Sequence, residues 1–115
     1  MKQREIKFRA WDRRNRQMLS WEDIKGLDYT NLLSLFEDEN YIFLQLTGKK
    51  DKKGVEIYEE DIVKIKYRDY VGRVVWDEHG CWIYEGANTK EGFQLNVTSA
   101  DEVIGNIYEN KNLLK

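Results

Sequence analysis

In "WDEHGCW", His79 and Cys81 are the chain's one histidine and one cysteine, and Asp77 and Glu78 flank them. Residues of these types hold soft metal ions, but a transition-metal site takes three or four ligands with a supporting shell. Two soft ligands leave the set short. Nucleophilic catalysis by Cys81 would place His79 within hydrogen-bond reach, and residues i and i+2 around a turn glycine seldom give that geometry. The plainer reading makes "DEHG" a polar hairpin turn and Cys81 a small apolar residue. Glu59, Glu60 and Asp61 could form an acid/base pair, since close carboxylates raise one another's pKa. Neighbours in extended chain point to opposite sides, however, and a turn aspartate commonly accepts backbone N–H groups, the role expected of Asp61. No Gly-rich phosphate loop, Gly-x-Ser-x-Gly elbow or Lys-Ser/Thr nucleotide motif is present. The sequence argues against an enzyme, and no catalytic residue, metal or cofactor is expected.

Charge gives a second kind of candidate. Lys7, Arg9, Arg13, Arg14 and Arg16 lie along a hairpin beside Trp11. Residues 1–20 carry seven basic residues against Glu5 and Asp12, a local charge of +5, while the chain as a whole is −2 and the remainder therefore near −7. Basic residues with an aromatic among them can hold a nucleic-acid strand. Charges on an exposed strand also simply block edge-to-edge pairing, and the negative total weighs against phosphate binding. A third use is contact between copies, or with an acidic protein, through opposite charge. Trp82 and Tyr84 share one face of their strand with Trp76 across the hairpin, so both faces read as apolar. The N-terminal segment or a partner subunit would cover the second face. The candidate interaction surface is thus Lys7, Arg9, Trp11, Arg13, Arg14, Arg16, Trp82 and Tyr84.

The elements that position these residues are mostly strands. "IKFRAWD" alternates, with Ile6, Phe8 and Ala10 on one face and Lys7, Arg9 and Trp11 on the other. "DRRNR" reads as a turn, "QMLSW" as the returning strand and "EDIKGLDYT" as loop. In "NLLSLFEDEN" Leu32, Leu35 and Phe36 follow helical spacing behind Thr30 as cap, with a strand as the competing reading. "YIFLQLTG" suits a strand covered on both faces, "GKKDKKG" a solvated loop, and "VEIY" a short extended piece. "EEDIVKIKY" places Val63, Ile65 and Tyr67 on one face. "VGRVVWDEHGCWIY" reads as a hairpin turning at residues 77–80 and returning from Cys81. "FQLNV" and "EVIGNIYEN" complete a set of short, evenly spaced strands, which indicates a small all-β barrel or roll.

A length of 115 residues is that of one domain, and no repeat, proline or Ser/Gly-rich linker marks a boundary within residues 1–115. The charged fraction of 35% leaves a hydrophobic fraction of 41% and 13% aromatics, enough large side chains to fold around a core. The lone cysteine fits a reducing compartment, and no apolar run reaches the length of a signal h-region or a spanning helix. A soluble, cytoplasmic protein without membrane attachment is expected.

Three blocks, "IKFRAWD", "QLTGKKDKKGVEIYEEDIVKI" and "EVIGNIYEN", resemble in order and spacing the signature blocks of the YopX family, proteins of phages and prophages. The middle block keeps Thr47, Gly48, Asp51, Gly54, Ile57, Tyr58, Glu59, Asp61, Ile62 and Val63. It departs at Leu46, where the family has tyrosine, and at Glu60, where it has glycine. If position 60 requires a positive φ, glutamate carries about 1 kcal/mol of strain, or the turn is rearranged. The resemblance implies a mainly β, SH3-like barrel or roll of antiparallel strands with an N-terminal hairpin, a host-cytoplasmic setting, and an uncharacterised molecular function. A non-enzymatic, self-associating protein-interaction module that binds a host or phage protein is the reading adopted, with a nucleic-acid-binding barrel as the alternative.

Overall fold

The computed structural model describes residues 6–28, 31–65, 70–76, 82–86, 92–94 and 102–114. Among the described residues, nine strands and two short helices follow in the order β1 Phe8–Asp12, β2 Gln17–Leu19, α1 Trp21–Lys25, α2 Leu32–Glu37, β3 Tyr41–Lys50, β4 Glu56–Tyr58, β5 Asp61–Ile65, β6 Tyr70–Trp76, β7 Trp82–Gly86, β8 Gly92–Gln94 and β9 Glu102–Asn106. A 3-10 turn, Lys111–Leu114, closes the described chain. Every pairing among these described strands is antiparallel, so the mainly β class and the antiparallel strands are as the sequence predicts. Two compact units divide the chain, Met1–Gln45 and Leu46–Lys115, and β3 runs through the boundary without a linker.

In the first unit β1 pairs with β2 and with the first half of β3, Ala10 standing opposite both Leu19 and Phe43. The strand alternation buries Ala10 and Asp12 on one face, where Ala10 joins Leu19, Ile24 of α1 and Leu35 of α2. Trp21, Leu27, Tyr41 and Phe43 pack around this cluster, and Phe36 meets Phe43 edge to face at 4.6 Å. A side chain such as Ile24 contributes about 2 kcal/mol by leaving water, more than a five-residue helix gains from its backbone alone. Helix α1 stands where the sequence reads as loop. Its signal is local: Ser20 accepts from the Asp23 N–H at 3.1 Å while the Asp23 carboxylate accepts from the Ser20 N–H at 2.9 Å, a capping box. Residues 32–37 form a helix rather than a strand, capped by Asn31, whose side chain accepts from the Ser34 N–H, and not by Thr30, which lies outside the described residues.

In the second unit the later half of β3 pairs with β4, and the remaining strands form a sheet in the order β8-β7-β6-β5-β9. Its core is Ile57, Val63, Val74, Trp82 and Tyr84, with Val103 against them. The β6–β7 hairpin is paired Trp76 to Trp82 and Val74 to Tyr84. The expected turn at residues 77–80 and the return from Cys81 lie outside the described residues, while the described register decides the faces, since a one-residue slip would turn every side chain to the other face. Trp76 and Trp82 therefore share a face, their rings 4.9 Å apart and edge to face, instead of lying on opposite ones. The other face carries Val75 and Ile83 beside the Arg73–Glu85 pair.

Candidate functional site

The structure separates the eight residues of the expected interaction surface into three groups. Trp82 and Tyr84 are buried in the second unit's core, so their bulk supports packing and they are withdrawn from the surface. Lys7, Arg9 and Trp11 are half-buried, Arg9 opposite Leu44 and Trp11 opposite Met18 and Ile42, and each is engaged in contacts of its own. Arg13, Arg14 and Arg16 are exposed on the turn joining β1 to β2. Their side chains form no ion pair with any described residue. His79 and Cys81, with Asp77 and Glu78, lie outside the described residues.

The arginine turn is held from beneath by Asp12, which is 3% exposed. Its Oδ1 accepts from the N–H groups of Arg14 at 3.1 Å and Asn15 at 3.2 Å, and its Oδ2 accepts from Asn15 Nδ2 at 2.8 Å. Asn40 Nδ2 also donates to Asp12 Oδ1 at 2.8 Å, while Asn40 Oδ1 accepts from the Arg14 N–H at 2.9 Å and its carbonyl from the Arg13 N–H at 3.0 Å. Hydrogen bonds from Asn40 and Asn15 hold the Asp12 carboxyl below its ordinary range, against the opposing effect of burial. Arg16 completes the reversal in the left-handed region at φ 52°. The backbone is thus fixed while the three guanidinium groups stay in water. Sequence reasoning missed Asn40, whose role depends on a contact 28 residues away.

The lysine loop between β3 and β4 has a similar centre. Asp51 is 6% exposed and accepts from the N–H groups of Lys53 and Val55 through Oδ1 and of Val103 in β9 through Oδ2, each at 2.9 Å. Burial by itself would raise the Asp51 pKa; these three donors and the Lys53 charge outweigh it and lower it. Lys53 reaches Glu102 at 3.0 Å. The stretch expected to be a solvated loop is therefore pinned at its middle to another strand. Gly48 and Gly54 both take φ 85°, a conformation glycine adopts without a Cβ penalty.

At the next turn, Asp61 accepts from the Tyr58 N–H at 2.8 Å, as a turn aspartate should. Glu60 takes φ 67°, its N–H donating to the Val74 carbonyl at 2.8 Å and its own carbonyl accepting from the Ile107 N–H at 3.1 Å. Arg73 Nε lies 2.9 Å from Glu60 Oε2, yet only the longer contact, Nη2 to Oε1 at 3.4 Å, is aligned as a hydrogen bond. Burial pushes the Glu60 carboxyl up, and Arg73 only partly offsets it. Of the three carboxylates, Asp61 accepts from the Tyr58 N–H, Glu60 faces Arg73, and the like charge of Glu59 adds to the rise at Glu60.

The family model described as "YopX protein" matches residues 7–115. The chain belongs to the YopX family. The chain is also similar to protein EF1440 from Enterococcus faecalis, known from a crystal structure, at 26% identity and a TM-score of 0.68 over 98% of this chain and 100% of that one. No curated protein matches. The second and third YopX blocks meet in the geometry just described, through the Asp51 to Val103 and Glu60 to Ile107 hydrogen bonds. Position 60, where glycine is usual in YopX proteins, keeps the left-handed turn that glycine favours. Glu60 accepts its strain instead of rearranging it. In this YopX chain the signature residues are joints of the scaffold, and the exposed arginines lie beyond them.

Proposed function

We propose that this YopX protein is a non-enzymatic protein-interaction module of phage or prophage origin, acting in the host cytoplasm. It engages an acidic protein surface, its own or that of a host or phage protein, through the turn carrying Arg13, Arg14 and Arg16. The observation that supports this reading is the pairing of a rigid backbone with uncommitted charge: buried Asp12 fixes the turn, and no described acid neutralises the three arginines. A surface whose backbone is already ordered loses less entropy on binding, and its charge speeds and orients encounter.

Nucleic acid is the competing partner, favoured by the same arginines with Trp11 on the adjoining strand. Binding to single- and double-stranded DNA and RNA, measured at low salt and again near 0.2 M, separates the two. A protein partner predicts no retention at either salt and a stoichiometric captured protein that is lost with Arg13→Ala and Arg14→Ala. Tight nucleic-acid binding that falls steeply with salt would replace the protein reading with the phosphate one.

A further inference from the structure

The geometry points to a homodimer contact formed by α2 and the two loops that meet at Asn40. The inference rests on the self-association in the proposed function and assigns it a surface. Leu33 and Phe36 stand three residues apart on one side of α2, and they are 66% and 39% exposed, Phe36 resting one edge against Phe43 while the rest of the pair faces water as a small apolar patch. The helix leads directly into Glu37, Asp38 and Glu39, and Asn40 then ties this acidic loop to the backbone of Arg13 and Arg14. An apolar patch therefore borders an acidic loop, and the acidic loop borders a basic one. Neither Arg13 and Arg14 nor Glu37 and Glu39 form an ion pair with any described residue, although the two loops are hydrogen-bonded neighbours.

That arrangement is self-complementary. A two-fold axis beside Phe36 and Asn40 lays the basic loop of one copy on the acidic loop of the other, twice, while Leu33 and Phe36 of both copies close over each other. A surface of one six-residue helix and two loops is small, so the dimer is of the weak, concentration-dependent class. A second copy is the occupant because one surface supplies both the charge signs and the apolar centre that it needs.

Sedimentation equilibrium over roughly 1–500 µM is the test, with circular dichroism to show that each variant is folded; micromolar dissociation is the range for contacts of this size. The wild type should approach twice its 13.8 kDa monomer mass. Leu33→Glu, at an exposed position, should weaken the dimer at least about tenfold without loss of fold. Arg13→Glu with Arg14→Glu, and separately Glu37→Arg with Glu39→Arg, should each give monomers, and mixing these two proteins should restore a dimer. A wild type monomeric throughout, or a dimer that none of these changes weakens, would overturn the assignment. The first outcome together with capture of another protein through the arginines leaves the interaction reading standing while this surface fails. The second leaves self-association standing on other residues.

Discussion

The arginine turn of residues 13–16 and the lysine-rich segment of residues 49–53, the end of β3 and the loop after it, are both short, basic and built around a buried aspartate. In the first, Asp12 and Asn40 satisfy the turn from below and the guanidinium groups remain in solvent. In the second, Asp51 reaches out of its own loop to the Val103 N–H, and Lys53 is paired with Glu102. Sequence alone presents these two stretches alike, as clusters of positive charge between strands. The acceptors around each decide that one is a joint of the scaffold and the other a presented surface.

The largest expected effect tests the joint. Asp51→Ala leaves three backbone N–H groups without their acceptor, one of them within β9, and should cost about 3 kcal/mol in urea unfolding. A loss below about 1 kcal/mol would make the lysine loop as independent as the arginine turn. From the β9 side, Gly105→Ala would bring a Cβ within 2.6 Å of Asn110 Cγ, and Asn110 holds the Asn106 N–H. About 2 kcal/mol should be lost, and adding Asn110→Ala should cost less than the sum of the two changes.

Acid titration compares the two aspartates directly. Both have folded pKa values below the ordinary 3.8, so their stabilisation is complete above that value and is lost as pH falls through the folded pKa. Unfolding midpoints from pH 6 to pH 2 should therefore fall, and Asp12→Asn or Asp51→Asn should each flatten the decline. Glu60 works in the opposite sense. Its folded pKa is raised above 4.5, so the unfolded state releases its proton first and stability falls as pH rises through that window. Glu60→Gly should remove that slope. It should also stabilise the protein by roughly 0.5 kcal/mol, about 1 kcal/mol of strain relieved against a weak pair with half-exposed Arg73. A loss of more than about 1 kcal/mol would show that the Arg73 contact outweighs the strain.

Strand alternation, the first hairpin and the Asp61 turn are legible in the sequence because each depends on neighbours within a few residues. Helix α1 reads as loop in the sequence, because its apolar positions are too sparse to show a period; the Ser20 and Asp23 spacing of its capping box is the local signal that reading passes over. The face shared by Trp76 and Trp82 follows from their pairing across two strands, and alternation within either strand alone does not fix that register. The functional candidates divide for the same reason. Arg13, Arg14 and Arg16 could be named from charge alone, whereas Asn40, Leu33 and the acidic loop acquire meaning only when β3 returns beside β1 and sets residue 40 against residue 12.

The contrast between presented and structural charge is tested most directly by sedimentation of two matched triple variants. One carries Arg13→Ser, Arg14→Ser and Arg16→Asn, the asparagine tolerating the left-handed turn position; the other carries Lys50→Ser, Lys52→Ser and Lys53→Ser, which includes the lysine paired with Glu102. The arginine variant should be monomeric with an unchanged unfolding midpoint, and the lysine variant should dimerise as the wild type does. Equal association in the two variants, whether both retain the dimer or both lose it, would contradict the distinction between the loops.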